Sequence, residues 1–264
     1  MRRHEGRAVL VVGGGQTPGG TMGNGRAAAI LYAREGADVY VADRDVESAE
    51  ATCGLVASEG GASHSGFVDV TVDADVAQLV DAALAALGRI DIVHHNVGTA
   101  SGDRGATSLP EADWDRIVDT NLKGAWLTAK HALPHMRAAG RGTIVYISSI
   151  AAVTTLNMIA YTASKAGLNA LTRQLAIANA RFGIRVNAVM PGMIETPIAI
   201  EGLAAATRRS SEEIAAERHA SVPLGHMGTA WDVAHAASFL ASDEAAFITG
   251  VVLPVDGGQT CRAG

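Results

Sequence analysis

AVLVV (residues 8–12) is followed by GGGQTPGGTMGNG (13–25) and then by RAAAILYARE (26–35). The first run is continuously apolar, as expected of a parallel strand buried on both faces. Arg26 to Glu35 reads as a helix that stops at Gly36. A strand, a glycine-rich turn and a helix N-terminus make a phosphate site. Glycines let the backbone approach an anion, and the free N–H groups and the helix dipole point at it. Gly13, Gly23, Asn24 and Gly25 are the candidate phosphate residues.

Outward from this unit the pattern repeats. DVYVA (38–42) is a second strand with Asp43 at its end, and Val46 to Ser58 reads as a helix. His64 to Val70 is a third strand carrying Asp69 and Val70 at its end. Asp73 to Leu87 is an amphipathic helix stopped by Gly88. Ile90 to His94 is a fourth strand, followed by His95-Asn96-Val97-Gly98. This βαβ alternation predicts an α/β fold: a doubly wound, Rossmann-like parallel β-sheet with helices on both faces, in a single domain over 1–264. Ligands of such sheets bind at the C-terminal strand ends. Asp43 there would accept hydrogen bonds from ribose hydroxyls and repel a 2′-phosphate. That favours NAD over NADP, although Arg44 next to it could offset the repulsion.

The second half continues the pattern. A long helix is expected over about Glu111 to Ala139, with Asn121 in its middle. Thr143 to Ile147 is a fifth strand delivering Ser148 and Ser149. A helix carries Tyr161-Thr162-Ala163-Ser164-Lys165 and runs to about Phe182. Ile184 to Met190 is a sixth strand ending at Pro191-Gly192. A mobile helical flap spans about 195–225, Ala230 to Ala241 is a helix and Val251 to Val255 a last strand. In a helix, Tyr161 and Lys165 lie one turn apart on one face. An ammonium there lowers a phenol's pKa toward neutrality, which suits a general acid or base.

Composition narrows the classes. The 264 residues carry a formal net charge of −6, with 48% hydrophobic and 4% aromatic residues. That balance gives no nucleic-acid footprint, and no apolar run reaches the length of a membrane span. Arg2, Arg3 and Arg7 read as a frayed tail ahead of the first strand, and not as a signal peptide. Cys53 and Cys261, distant and without motif partners, fit free thiols in a reducing cytoplasm. Several residue pairs have ordinary explanations. His131 and His135 lack a third metal ligand, and His94-His95 follows a strand and packs beside the cofactor site. Asp73 and Asp75 form a helix cap and first turn. The Ser148/Ser149 pair lacks a hydrolase elbow. No metal site is expected.

With these residues in place the chain resembles the short-chain dehydrogenase/reductase family, of the compact single-domain type, from about Arg7 to Gly258. The resemblance rests on the glycine turn, Asp43, Asp69, Asn96-Val97-Gly98, Asn121, Ser149, Tyr161 with Lys165, and Pro191-Gly192-x-x-x-Thr196. It implies that Tyr161 exchanges a proton with the substrate oxygen. Lys165 would hold the nicotinamide ribose and lower the tyrosine pKa, and Ser149 would donate to the substrate oxygen. Asn121 would interrupt its helix and anchor a water. Pro191, Gly192, Ile194 and Thr196 would wrap the nicotinamide end. It also implies homotetramers, formed through the helices around Asn121 and Tyr161 and through the last strand.

Three departures from the family pattern stand out. Gly13 and Gly23 are ten positions apart where the family has four, so about six residues are inserted around Gln16 to Thr21. This insert is expected to bulge outward. His95 and Val97 replace the usual Asn and Ala. Ser149 precedes Tyr161 by twelve positions where thirteen is commoner, so spacing selects Ser148 and the strand motif selects Ser149. The expected activity is NAD-dependent interconversion of a small uncharged or apolar secondary alcohol and its ketone. Ile150, Val153, Leu156, Met158, Ile159, Met193 and the flap from Ile198 would wall the pocket. The alternatives are an NADPH-dependent 3-oxoacyl-carrier-protein reductase and a catalytically silent cofactor-binding regulator.

Overall fold

A computed structural model describes residues 2–155 and 157–262. The elements run β1 (Ala8–Val12), α1 (Asn24–Arg34), β2 (Asp38–Asp43), α2 (Val46–Ser58), β3 (Ser63–Phe67), α3 (Asp73–Leu87) and β4 (Ile92–His95). Then come α4 (Glu111–Val118), α5 (Gly124–Ala139), β5 (Gly142–Ile147), α6 (Ile159–Asn179), β6 (Ile184–Pro191) and β7 (Ile194–Glu195). The last are α7 (Leu203–Thr207), α8 (Ser211–Ser221), β8 (Gly228–Thr229), α9 (Ala230–Ala241) and β9 (Val252–Val255). Seven parallel strands form one sheet in the order β3-β2-β1-β4-β5-β6-β9. The order reverses between β1 and β4. At such a switch point the loops part and open a crevice beyond the strand ends.

Strand β1 shows how an unbroken apolar run serves two layers. Its side chains alternate between faces. Leu10 and Val12 pack with α3, α5 and α6, whereas Val9 and Val11 pack with α1 and α9. All four are fully buried, and each such side chain is worth roughly 1.5–3 kcal/mol relative to exposure. Helix α1 presents Ala27, Ala28 and Ala29 to this packing, and small side chains let it lie close to the sheet. A Cβ at Gly25 would collide with the Gly13 carbonyl. Glycine there allows the helix start to sit against the end of β1.

The structure differs from or adds to the expectations in several places. The long helix breaks at Asp119–Lys123 into one π turn, which holds Asn121 fully buried. Strand β3 runs over Ser63–Phe67 and stops short of Val70, although Val68 N still donates to Asp43 O at 3.0 Å. Ile194–Glu195 pairs with Gly228–Thr229 in a small second sheet that two-residue strands do not announce by period. The N-terminus is not frayed: Arg3 pairs with Glu35 at 3.0 Å and Glu244 at 2.8 Å, and Arg7 with Asp243 at 2.7 Å. His4 is buried, its Nε2 3.0 Å from Ser238 Oγ. Among the described residues no helix is long and apolar enough to cross a membrane.

Candidate active site

At the C-terminal edge of the sheet, β5 passes directly into Ser148 and Ser149, and geometry separates the two. The Ser148 hydroxyl is buried and donates to Asn169 Oδ1 at 2.6 Å. Ser149 caps a short 3-10 turn over Ile150–Ala152, its Oγ accepting from Ala151 N at 3.1 Å. That leaves its hydroxyl hydrogen free, close to the Tyr161 phenol.

Tyr161 and Lys165 lie one turn apart on α6, with Lys165 Nζ 5.7 Å from the phenol ring centre. Lys165 is buried and donates to the Ile147 carbonyl at 2.9 Å. Burial lowers its pKa to about 8. Contrary to expectation, Lys165 does not lower the Tyr161 pKa. Burial holds the phenol above its usual range, and what pulls the other way is the neighbouring Ser149 side chain. Gly98 passes close by: a Cβ there would lie 3.0 Å from Lys165 Nζ.

Asn121 is tied to the same helix. Its Oδ1 accepts from Thr99 N at 2.7 Å, and its Nδ2 donates to Thr99 O at 2.9 Å and Ser164 Oγ at 3.0 Å. A π turn widens the helix by one residue and aims one side chain inward. Here that side chain joins the β4–α4 loop to α6. Asp103 sits in a polar loop without any motif to mark it. Its Oδ2 accepts from Tyr161 N at 2.7 Å and its Oδ1 from Ala160 N at 3.3 Å. It satisfies N–H groups of the first α6 turn, which otherwise has no side-chain cap. It lies 58 positions away in the chain, beyond any local pattern.

The glycine-rich turn joins β1 to α1. Asn24 opens α1, and the first helical bond runs from Ala27 N to Gly23 O at 3.0 Å. The N–H groups of Asn24, Gly25 and Arg26 therefore precede the ladder, and no acidic residue sits in this first turn. Asn96 Nδ2 donates to Gly13 O at 3.0 Å. A Cβ at Gly13 would press on Val97. Asp43 Oδ2 accepts from Gly15 N at 3.0 Å and Oδ1 from Asp45 N at 3.1 Å, so the carboxylate is fixed at the turn with lone pairs to spare. Asp69 accepts from Thr71 N and Oγ1, which holds its carboxyl below the usual range. Val70 is buried under Gly124. Arg44 is exposed, and its charge also lowers Asp69.

The insert is outward but anchored. Thr17 to Gly20 are exposed. Gln16 is held by Ser48 through both its N–H and its carbonyl, and its Oε1 accepts from Gly23 N at 2.8 Å. Gly20 N donates to Glu201 Oε1 at 2.9 Å, so the insert reaches the start of the flap. Thr21 Oγ1, Asn24 Oδ1 and Glu201 Oε2 are buried without hydrogen-bond partners among the described residues. Buried polar atoms without partners are costly, and a ligand rich in hydroxyls, such as riboses, would supply the donors they lack. On these observations the cleft fits a nicotinamide dinucleotide.

Pro191 ends β6 and is buried. Gly192 N donates to Val255 O at 3.0 Å, Ile194 is buried in the small sheet, and Thr196 O accepts from Ala199 and Ile200 N. Of the expected pocket wall, Ile150 is buried, Met158, Ile159 and Met193 are half-buried, and Val153 and Ile198 are exposed. Leu156 lies outside the described residues. His94 and His95 are wholly buried and no group of metal ligands is found among the described residues. His131 instead contacts Asp73 at 2.8 Å. Asp73 stands inside α3, not at its cap.

Residues 20–260 match the family model described as enoyl-(acyl carrier protein) reductase. The chain is 40% identical over 243 residues to a cis-4-hydroxycyclohexanecarboxylate dehydrogenase of Sinomonas cyclohexanicum, covering 92% of this chain and 94% of that one. It is 34% identical to a 7alpha-hydroxysteroid dehydrogenase of Clostridium sardiniense, covering 98% and 95%. A short-chain type dehydrogenase/reductase from Mycobacterium ulcerans, whose structure is solved, superposes with a TM-score of 0.87 at 33% identity, covering 98% and 92%. The chain belongs to the short-chain dehydrogenase/reductase family.

Proposed function

We propose that the protein oxidises a secondary alcohol to a ketone, or runs the reverse reduction, with NAD as its preferred cofactor. One observation carries this reading: the Tyr161 phenol lies close to the Ser149 side chain and stands one helical turn from buried Lys165. Nicotinamide, when bound, takes or gives the hydride, which no side chain supplies. Tyr161 takes the proton from the alcohol or returns it to the ketone. Ser149 holds the substrate oxygen through its free hydroxyl hydrogen. Lys165 places a positive charge beneath this proton exchange, and Asn121 fixes the helix that bears both groups. The dinucleotide phosphates would sit at Gly13, Gly23, Asn24 and Gly25, and its adenosine end at Asp43, Asp69 and Val70. Asn96, Val97 and Gly98 would line its middle, and Pro191, Gly192, Ile194 and Thr196 the nicotinamide.

Two of the relatives are named for hydroxyl groups on alicyclic skeletons, which supports a cyclic alcohol over a carrier-bound acyl chain. The complete set Asn121, Ser149, Tyr161 and Lys165 speaks against a silent regulator. Asp43 at the end of β2 supports NAD over NADP. Free Cys53 and Cys261 support a reducing cytoplasm. Exposed Trp114, Trp126 and Ile177 on α4, α5 and α6 support a homotetramer built on those helices. Titration with NADH and with NADPH, followed by nicotinamide fluorescence, tests the cofactor. Tighter NADH binding is expected. Tighter NADPH binding would hand the adenosine end to Arg44.

A further inference from the structure

Helix α8 carries Ile214 and, beyond its end, Val222, both buried in a small cluster with Ile200, Ala204 and Met227. Arg218 stands midway, four positions from each, and therefore on the inward face of the helix. It is half-buried, with Nη1 3.2 Å from Met193 Sδ. Met193 directly follows Gly192 at the exit of β6, so Arg218 borders the cleft proposed for the nicotinamide and substrate. A thioether is a weak acceptor and does not balance a guanidinium. The nearby carboxylates are engaged elsewhere: Glu217 with Arg209 at 2.7 Å and Glu195 with His219 at 2.9 Å. Among the described residues no carboxylate lies within 4.0 Å of Arg218. Burial holds its pKa below the usual range. The Glu217 charge acts on it only from a distance and offsets part of the burial; a charge kept partly out of water without a directly paired carboxylate is costly, and guanidinium geometry matches a carboxylate edge to edge.

We infer that Arg218 is a specificity-determining residue that receives an oxyanion on the substrate, a carboxylate or a group of like charge and shape remote from the reacting hydroxyl. The inference rests on the alcohol–ketone reading above and revises the expectation of an uncharged substrate. Apolar side chains would hold the carbon skeleton, and Arg218 would fix its charged end.

The test uses protein saturated with its preferred dinucleotide and two unreactive probes of one shape, cyclohexanecarboxylate and cyclohexanecarboxamide, measured by calorimetry. Wild-type protein is expected to bind the acid at least about tenfold more tightly, the order of one charge-assisted hydrogen bond. Arg218→Met should abolish that preference and Arg218→Lys restore part of it, with NADH affinity and melting temperature unchanged in both. Equal binding of acid and amide by the wild type would overturn the inference. So would an unchanged preference in Arg218→Met, or loss of NADH affinity alone, which would assign Arg218 to the cofactor. Turnover separates the two readings. Efficient oxidation of neutral cyclohexanols, with no gain from an acid group, would sink the Arg218 inference and leave the alcohol reading intact. Acid binding that depends on Arg218 without oxidation of any alcohol would sink the alcohol reading and leave the anion site.

Discussion

Ser148 and Ser149 are adjacent, yet their surroundings differ enough to give opposite predictions. Ser149→Ala removes the donor facing Tyr161. It should lower kcat/KM by roughly 10²-fold, the scale of an oxyanion donor, with little change in melting temperature. Ser148→Ala strands Asn169 Oδ1 in the interior. It should destabilise the fold by about 1–3 kcal/mol and largely spare turnover. Steady-state kinetics and urea unfolding of both variants check this, and the reverse pattern would reassign the roles. Asp103→Ala should cost about 1 kcal/mol through the lost cap on α6 and lower kcat, whereas Asp103→Asn keeps an acceptor and should recover much of both. At this scale the sequence is partly legible. Tyr161 and Lys165 declare themselves by spacing. Choosing between two serines requires knowing which way each side chain points, and Asp103 meets Tyr161 only because the β4–α4 loop folds back over α6.

Among the elements, the least ordinary is the insert. Its Gly20–Glu201 bond ties the glycine-rich turn to residues 198–202 ahead of α7. Trimming Gln16 to Thr21, or replacing Glu201 with Ala, should speed NADH release several-fold in a stopped-flow chase, with smaller effects on the binding rate. Release at the wild-type rate in both variants would mean that the tie does not hold the cofactor. Strong periodicity made most elements readable: the strand at 8–12 and the helix at 230–241 fall where their patterns place them. The fourth strand begins at Ile92, not Ile90, because Ile90 is buried ahead of the first ladder pair at Val9 and Ile92. The family resemblance implies an interruption at Asn121 but not a π turn, since a helical pattern does not encode one extra residue in a turn.

For the whole molecule, two wholly buried imidazoles in β4 set a pH dependence. Burial drops the pKa of both His94 and His95 from 6.5 to about 3, with the Lys165 charge adding to the effect on His95. Both are neutral in the folded protein at neutral pH. Between those values the unfolded chain binds protons that the folded chain refuses, so stability rises with pH there. The contribution is complete above about pH 6.5 and fades as pH falls toward 3. Urea midpoints should fall steeply on acidification through this window, and a His94→Leu/His95→Asn variant should show a shallower slope. An equal slope would assign the acid sensitivity to other groups, such as the buried His4–Glu35–Ser238 cluster.

The central claim is that Tyr161 moves the proton while nicotinamide moves the hydride. The most direct test is reduced-nicotinamide absorbance on adding cyclic secondary alcohols, neutral and acidic, to wild-type protein and to Tyr161→Phe with NAD. The account predicts steady formation of NADH by the wild type and a rate lower by roughly 10²–10⁴-fold in the variant, with NADH binding retained. Equal rates in both proteins would contradict it, as would firm NADH binding with no alcohol oxidised and no ketone reduced.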